Sequence, residues 1–195
     1  MTLILGSGSP RRKEILEFFS VPFKQITSDY DEEALVFNGD PKAYAKDIAK
    51  GKAESLAKLY PSDIILTADT VVYCDGKLFL KPKTMQQAHQ MLRDLSGKKH
   101  QVYTGVCVFG GNKEFIDVEE SSVEFCELTD SEIVKYADAF APLDKAGGYA
   151  IQKGGSLIVK RIEGCYYNIM GLPLQKVRRL LLNVGIDLWD YFKSV

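Results

Sequence analysis

Histidine and cysteine are both scarce. The two histidines, His89 and His100, and the four cysteines, Cys74, Cys107, Cys126 and Cys165, form no C-x-x-C unit, so a zinc centre of the usual kind is not expected. The dispersed thiols read as half-buried side chains in a reducing compartment. An excess of one charge is missing too: 25 Lys and Arg stand against 26 Asp and Glu, a net charge of -1. Such a balance lacks the basic face that proteins riding on nucleic-acid backbones require. It leaves room for one small, highly charged anion in a local pocket. No run approaches the roughly 18 apolar residues that span a bilayer. The apolar start at Leu3 to Leu5 is too short for a signal peptide and lacks a basic leader. A soluble, cytoplasmic protein with no nucleic-acid or membrane partner is therefore expected.

What is present is ordinary globular composition, 46% hydrophobic and 26% charged over 195 residues, enough for a core in one domain or in two lobes sharing a sheet. Leu3-Ile4-Leu5 reads as a strand running through Gly6-Ser7-Gly8-Ser9-Pro10 into a helix with Ile15, Leu16, Phe18 and Phe19 on one face. A second strand is expected over 21–27. Asp40-Pro41 is a cap followed by a first-turn proline and opens a helix reaching about Tyr60. Ile64 to Cys74 is an apolar strand turned by Asp75-Gly76 into a partner at Lys77 to Leu80. Thr84-x-x-Gln87 and Thr129-x-x-Glu132 resemble capping boxes. Between them, 101–109 and 114–128 read as antiparallel strands. A last strand is expected near 156–162, before a helix starting near Pro173. The strands outnumber what strict β-α-β alternation gives, so the fold class is α/β with a mixed central sheet flanked by helices.

Four places carry chemistry. Ser9 as cap and Pro10 as first residue explain a helix start, but the arginines after them do not fit that role. The first turn of a helix is electropositive and favours acids, so Arg11 and Arg12 are unfavourable there unless an anion is bound. The strand, the Ser7-Gly8-Ser9 loop and the two guanidinium forks together describe a phosphate cradle. On this reading, deleting Arg12 is expected to stabilise the empty protein slightly. The loop is not a dinucleotide fingerprint, because Arg11 stands at the third glycine position, and no G-x-x-x-x-G-K-[ST] occurs. Asp69 interrupts an apolar strand, where a carboxylate is costly without a cation, a metal or a donor; a buried Asp bonded to backbone N–H groups is the plain alternative. Lys52 falls in the middle of the inward stripe Ala45, Ile48, Ala49, Leu56 and Leu59, so it either snorkels out or points into a polar cleft. Lys81, fixed before Pro82, is a weaker case of the same kind. Glu32, within an acidic run, is a solvated loop residue or an oxygen ligand for a divalent metal beside a polyphosphate.

In order and spacing these segments resemble the Maf family of nucleoside triphosphate pyrophosphatases over nearly the whole chain, 1–195. The matching pieces are Ser7-x-Ser9-Pro10-Arg11-Arg12, Asp31-Glu32, Ala49-x-x-Lys52-Ala53, Ala68-Asp69-Thr70 and Lys81-Pro82. Tyr103-Thr104-Gly105, Asp144-Lys145-Ala146-Gly147-Gly148-Tyr149-x-Ile151-Gln152 and Gly171-Leu172-Pro173-Leu174 complete the set. Gly6 stands where the family usually has Ala. The extra acid Glu33 gives two candidates for the family's carboxylate, of which Glu32 directly follows Asp31. The resemblance implies two lobes around a cleft in an inosine triphosphatase-like fold, commonly a homodimer, with Mg²⁺- or Mn²⁺-dependent cleavage between the α- and β-phosphates. It implies Asp69 as catalytic carboxylate, Glu32 and Asp69 at the metal, and Ser7, Ser9, Arg11, Arg12, Lys52, Thr70, Lys81 and Gln152 at the substrate. Arg11, Thr70 and Gln152 correspond to selectivity positions of the branch acting on dTTP and UTP. A nucleotide-binding regulator of cell division without turnover is the competing expectation.

Overall fold

The computed structural model describes residues 1–140, 142–152 and 154–192. Strand β1 (Leu3–Leu5) leads to α1 (Pro10–Leu16) and β2 (Phe23–Gln25), then to the long helix α2 (Pro41–Leu59), β3 (Ile64–Cys74) and β4 (Lys77–Phe79). Helix α3 (Met85–Leu95) precedes β5 (Lys99–Gly110), β6 (Lys113–Phe125) and α4 (Asp130–Phe140). The last elements are α5 (Gly155–Ile158), β7 (Val159–Glu163), α6 (Tyr166–Met170) and α7 (Leu174–Leu182). Seven strands form one sheet in the order β2-β1-β3-β5-β6-β7, with β4 paired to β3. It is mixed: β1 runs parallel to β2 and β3, while β3–β4 and β6–β7 are antiparallel. Among the described residues no helix is long and apolar enough to cross a membrane.

The chain divides into two compact units, the first made of Met1–Asp69, Thr104–Glu119 and the residues from Gly171 on, the second of Thr70–Tyr103 and Glu120–Met170. In the first, α2 lays Ala45, Ile48, Ala49, Ala53 and Leu56 inward, where Ile65 and Cys107 join the core. Each fully buried Ile or Leu of this kind contributes about 1.5–3 kcal/mol. Helix and sheet lie so close that a Cβ at Gly105 would fall 2.3 Å from the Ala45 carbonyl oxygen, which is why β5 carries glycine there. In the second unit, Val72, Phe79, Leu92, Leu95, Phe125 and Ile133 are core residues.

The structure departs from the pattern in instructive places. β2 is three residues long rather than seven, because it is the end strand of the sheet and exposes Lys24 and Gln25. The stretch Gly155–Ile158 is a helical turn, and the final strand starts only at Val159. The Thr129 box is reciprocal, with Glu132 N–H donating to Thr129 Oγ1 and Thr129 N–H to Glu132 Oε2. The Thr84 box is half made: Gln87 N–H donates to Thr84 Oγ1, but the Gln87 side chain accepts from Lys83 N–H instead. All four cysteines are free, and burial pushes the Cys107 thiol up to about 12, so it stays protonated.

His100 on β5 is fully buried, its Nε2 2.9 Å from Tyr149 Oη and its ring edge-on to Phe125. Burial lowers its pKa from 6.5 to about 4, with the Lys98 backbone opposing. The unfolded chain then binds a proton that the folded one refuses, so stability rises with pH across this window. The protein should lose up to about 3 kcal/mol between pH 6.5 and 4 through this residue. Urea melts of wild type and His100→Gln at pH 7.5 and 5 check this; the variant should show the smaller difference.

Candidate active site

The first unit holds an ammonium group buried between two acids. Lys52, its side chain 10% exposed, places Nζ 2.7 Å from Asp69 Oδ1 and 2.8 Å from Glu32 Oε1. The Asp69 side chain is 8% exposed and that of Glu32 is 40% exposed. An isolated buried charge costs several kcal/mol, and here a cation and a carboxylate in neighbouring elements remove that cost from each other. Lys52 therefore does not snorkel; it is clasped between the two carboxylates. The stripe that contains it ends sooner than its spacing suggests, since Leu59 is 64% exposed while Ala53 is buried.

Local sequence builds the clasp. Thr67, two residues before Asp69 on β3, donates its hydroxyl to the Ala49 carbonyl at 2.6 Å, which fixes α2 against the strand. Glu32 reaches Lys52 because its loop lies on the same helix. The ring of Tyr30 covers Gly51 so closely that a Cβ there would fall 2.3 Å from a ring carbon. Glycine inside a helix costs about 1 kcal/mol relative to alanine, and this contact is the reason for it. Ser55 Oγ donates to Asp29 Oδ1 one turn further along α2. Asp31 then caps a short 3-10 turn, Glu32–Ala34, by accepting from Glu33 N–H at 3.0 Å.

Arg12 is held by bonds of its own. Its Nε donates to the Gly171 carbonyl at 2.7 Å and its Nη1 to Ser7 Oγ at 3.0 Å. Ser7 is buried and also accepts from Ser9 N–H, while Ser9 caps α1 through Arg12 N–H. Gln25 Nε2 donates to the Ser7 carbonyl at 2.8 Å and steadies the loop. Burial lowers the Arg12 pKa; Asp69 and Glu32 pull it up, and Arg11 pushes it down. Asp69, Arg11 and Glu32 thus all act electrostatically on Arg12. The same field reaches the Tyr44 phenol, raised by burial first and then by Asp69, Glu32 and Tyr30.

Ser7, Ser9, Arg11, Arg12, Glu32, Lys52 and Asp69 all lie in the first unit. Thr70, next to Asp69 on β3, begins the second unit, which also contains Lys81, exposed after β4, and the half-buried Gln152. Sequence reasoning missed Tyr30, Tyr44, Gly51 and Ser55. A glycine inside a helical pattern was the one available signal.

The family model described as "Maf-like protein" matches residues 2–184. A "dTTP/UTP pyrophosphatase" of Chlamydia caviae is 45% identical over 190 residues, 97% of each chain. One of the same description from Acholeplasma laidlawii is 47% identical over 184 residues, covering 94% of this chain and 97% of its own. A "Nucleoside triphosphate pyrophosphatase" of Chlamydia muridarum is 42% identical over 190 residues, again 97% of each. Among solved structures, the Staphylococcus aureus Ham1 protein superposes on 65% of this chain and 73% of its own, with a TM-score of 0.44 and 12% identity.

The geometry reverses the expected effect of removing Arg12 on the empty protein. Its bonds to Gly171 and Ser7 outweigh its repulsion with the helix end, which amounts to only about 0.3–1 kcal/mol. Arg12→Ala should lower the stability of the nucleotide-free protein by about 1.5–3 kcal/mol, the contribution of a hydrogen bond made by a charged group. Denaturant melts without nucleotide would measure it.

Proposed function

The chain belongs to the Maf family, and from that membership we propose that it hydrolyses nucleoside triphosphates to the monophosphate and pyrophosphate, with dTTP and UTP as substrates. The observation that carries the reading is the buried Glu32–Lys52–Asp69 clasp within the electrostatic reach of Arg12. It joins a carboxylate able to take a proton to cations able to hold phosphate.

Arg11, Arg12, Lys52 and Lys81 gather the triphosphate and offset its charge, the guanidinium forks matching phosphate oxygens in pairs. Ser7 and Ser9 shape the loop that receives it. Asp69 accepts a proton from the water that attacks the α-phosphorus. The bond from that phosphorus to the bridging oxygen breaks, and pyrophosphate leaves with the electron pair. The fixed cations act on the charge that grows on the leaving group. Glu32 and Asp69 are hard oxygen donors drawn to one point by their shared ammonium, a set that suits Mg²⁺ or Mn²⁺. Among the described residues no three His, Cys, Asp or Glu side chains gather as a metal site, so these two would hold the ion together with phosphate oxygens. Bound there, it would supply further neutralisation of the phosphates. Arg11, Thr70 and Gln152 select the base. The proposal includes a homodimer in the cytoplasm that limits incorporation of unwanted or modified nucleotides.

Product analysis by ion exchange on dTTP and UTP with Mg²⁺ tests the reading. Monophosphate and pyrophosphate are expected; diphosphate with orthophosphate as first products would overturn it. Nucleotide bound intact without turnover would favour a regulator of cell division instead.

Asp69→Asn tests the base. The pairing with Lys52 means that neutralising Asp69 removes a partner from a buried cation that keeps Glu32. The variant should fold, somewhat less stably, and its turnover should fall by roughly 10²–10⁴, the usual worth of acid-base help. Recovery of rate on raising Mn²⁺ would assign Asp69 to the metal instead. Steady-state rates across a Mn²⁺ series separate the two roles.

A further inference from the structure

Within the second unit, the segment from Asp144 to Gln152 has little in its own sequence to fix its course. Gly147 and Gly148 both adopt positive φ, 72° and 71°, conformations natural to a residue without a side chain. The segment is held from outside. Gly147 N–H donates to the carbonyl of Leu80, the residue before Lys81, at 3.2 Å. Tyr149 stands edge-on to both His100 and Phe125, with ring centroids 5.4 and 4.8 Å away. Beyond Tyr149 the hold is shared: Gly155 N–H donates to the Gln152 carbonyl at 3.1 Å, and one side chain takes Ala150. Tyr136 Oη, on α4, accepts from Ala150 N–H at 3.0 Å and donates to the Ala150 carbonyl at 3.2 Å.

One hydroxyl thus answers both backbone polar groups of the residue two before Gln152. The Tyr136 ring is 6% exposed and packs on Phe140 at 5.1 Å. A phenylalanine would serve that packing equally well, so the oxygen is explained by Ala150 alone. Burial raises the phenol's pKa, the Ala150 backbone opposing, so the group stays neutral and keeps its donor. A glutamine has three side-chain torsions; it can discriminate between bases only if the backbone beneath it is fixed.

We propose that Tyr136 is a positioning residue for base selection, holding Ala150 so that Gln152 presents its amide in one direction. The proposal rests on the reading of Gln152 as a selectivity position. It predicts that the hydroxyl matters for choosing among nucleotides and hardly at all for the chemical step.

The test is a double-mutant cycle of Tyr136→Phe and Gln152→Ala, with kcat and KM measured for UTP and CTP and melting temperatures recorded for each variant. Tyr136→Phe alone should reduce the UTP-over-CTP ratio of kcat/KM by roughly three- to ten-fold, the worth of one hydrogen bond. The change should appear in the KM for UTP, with kcat within about two-fold of wild type. In the Gln152→Ala background, Tyr136→Phe should change the ratio no further. An unchanged ratio in Tyr136→Phe, or a further fall of the same size when Gln152 is absent, would overturn the proposal. Tyr149→Phe guards against a general loosening: it frees the same segment from His100, and an equal loss of ratio there would assign the effect to packing and reject the specific role of Tyr136. Failure of wild type to release pyrophosphate would instead defeat the functional reading, a result visible before any variant is made.

Discussion

A lysine side chain taken out of water keeps its charge only where negative charge is brought to it, and the first unit is organised around meeting that demand at Lys52. Asp69 comes from the sheet and Glu32 from a loop, and each has its own device for arriving at the right place. Thr67 ties the strand to the helix backbone, while Tyr30 and Ser55 press the loop onto α2. The packing of a long helix on a sheet is common; what singles out this one is that the inward stripe is interrupted at its centre by a charge. Once that charge is accepted, the glycine at position 51, the threonine at 67 and the acidic loop all have a physical reason.

Arg12 shows the same economy. A guanidinium presents five donors, and here two go to fixed partners in the protein, Gly171 and Ser7. Those bonds fix the direction of the guanidinium fork in the empty protein. The closing motif Gly171-Leu172-Pro173-Leu174, which looks inert in the sequence, supplies the carbonyl for this. Arg12 is therefore a strut of the empty protein, a duty that its place at a helix start does not announce.

Much of this was legible beforehand. Asp69 and Lys52 each broke a hydrophobic pattern, and a broken pattern is a signal that survives without any structure. The pairing between them was not legible, because nothing in either local pattern says which strand faces which helix. Glu32 was harder still: an acidic loop reads the same whether it is solvated or folded back, and only the Tyr30–Gly51 contact decides it. Strand limits failed where tertiary context overrides propensity, as at the exposed end strand β2. The two threonine boxes, one closed by Gln87 and the other by Glu132, differ because Lys83 competes for the Gln87 side chain. Residues such as Tyr136 left no trace at all, since a core tyrosine and a core phenylalanine occupy the same place in any hydrophobic pattern.

The first unit is assembled from three separated stretches of chain, and Arg12 meets its carbonyl partner only at Gly171. Chains fold as they emerge during synthesis, N-terminal parts first. Here the early part has to wait. When the ribosome has made Asp69, the clasp residues exist, but the strand segments at 104–119 and the helix after 171 do not. A nascent chain stopped short of Gly171 would carry the whole second unit and an arginine turn without its anchor. The order of the gene thus makes the anchoring of the arginine turn one of the last properties the protein acquires, and a truncated product would lack it.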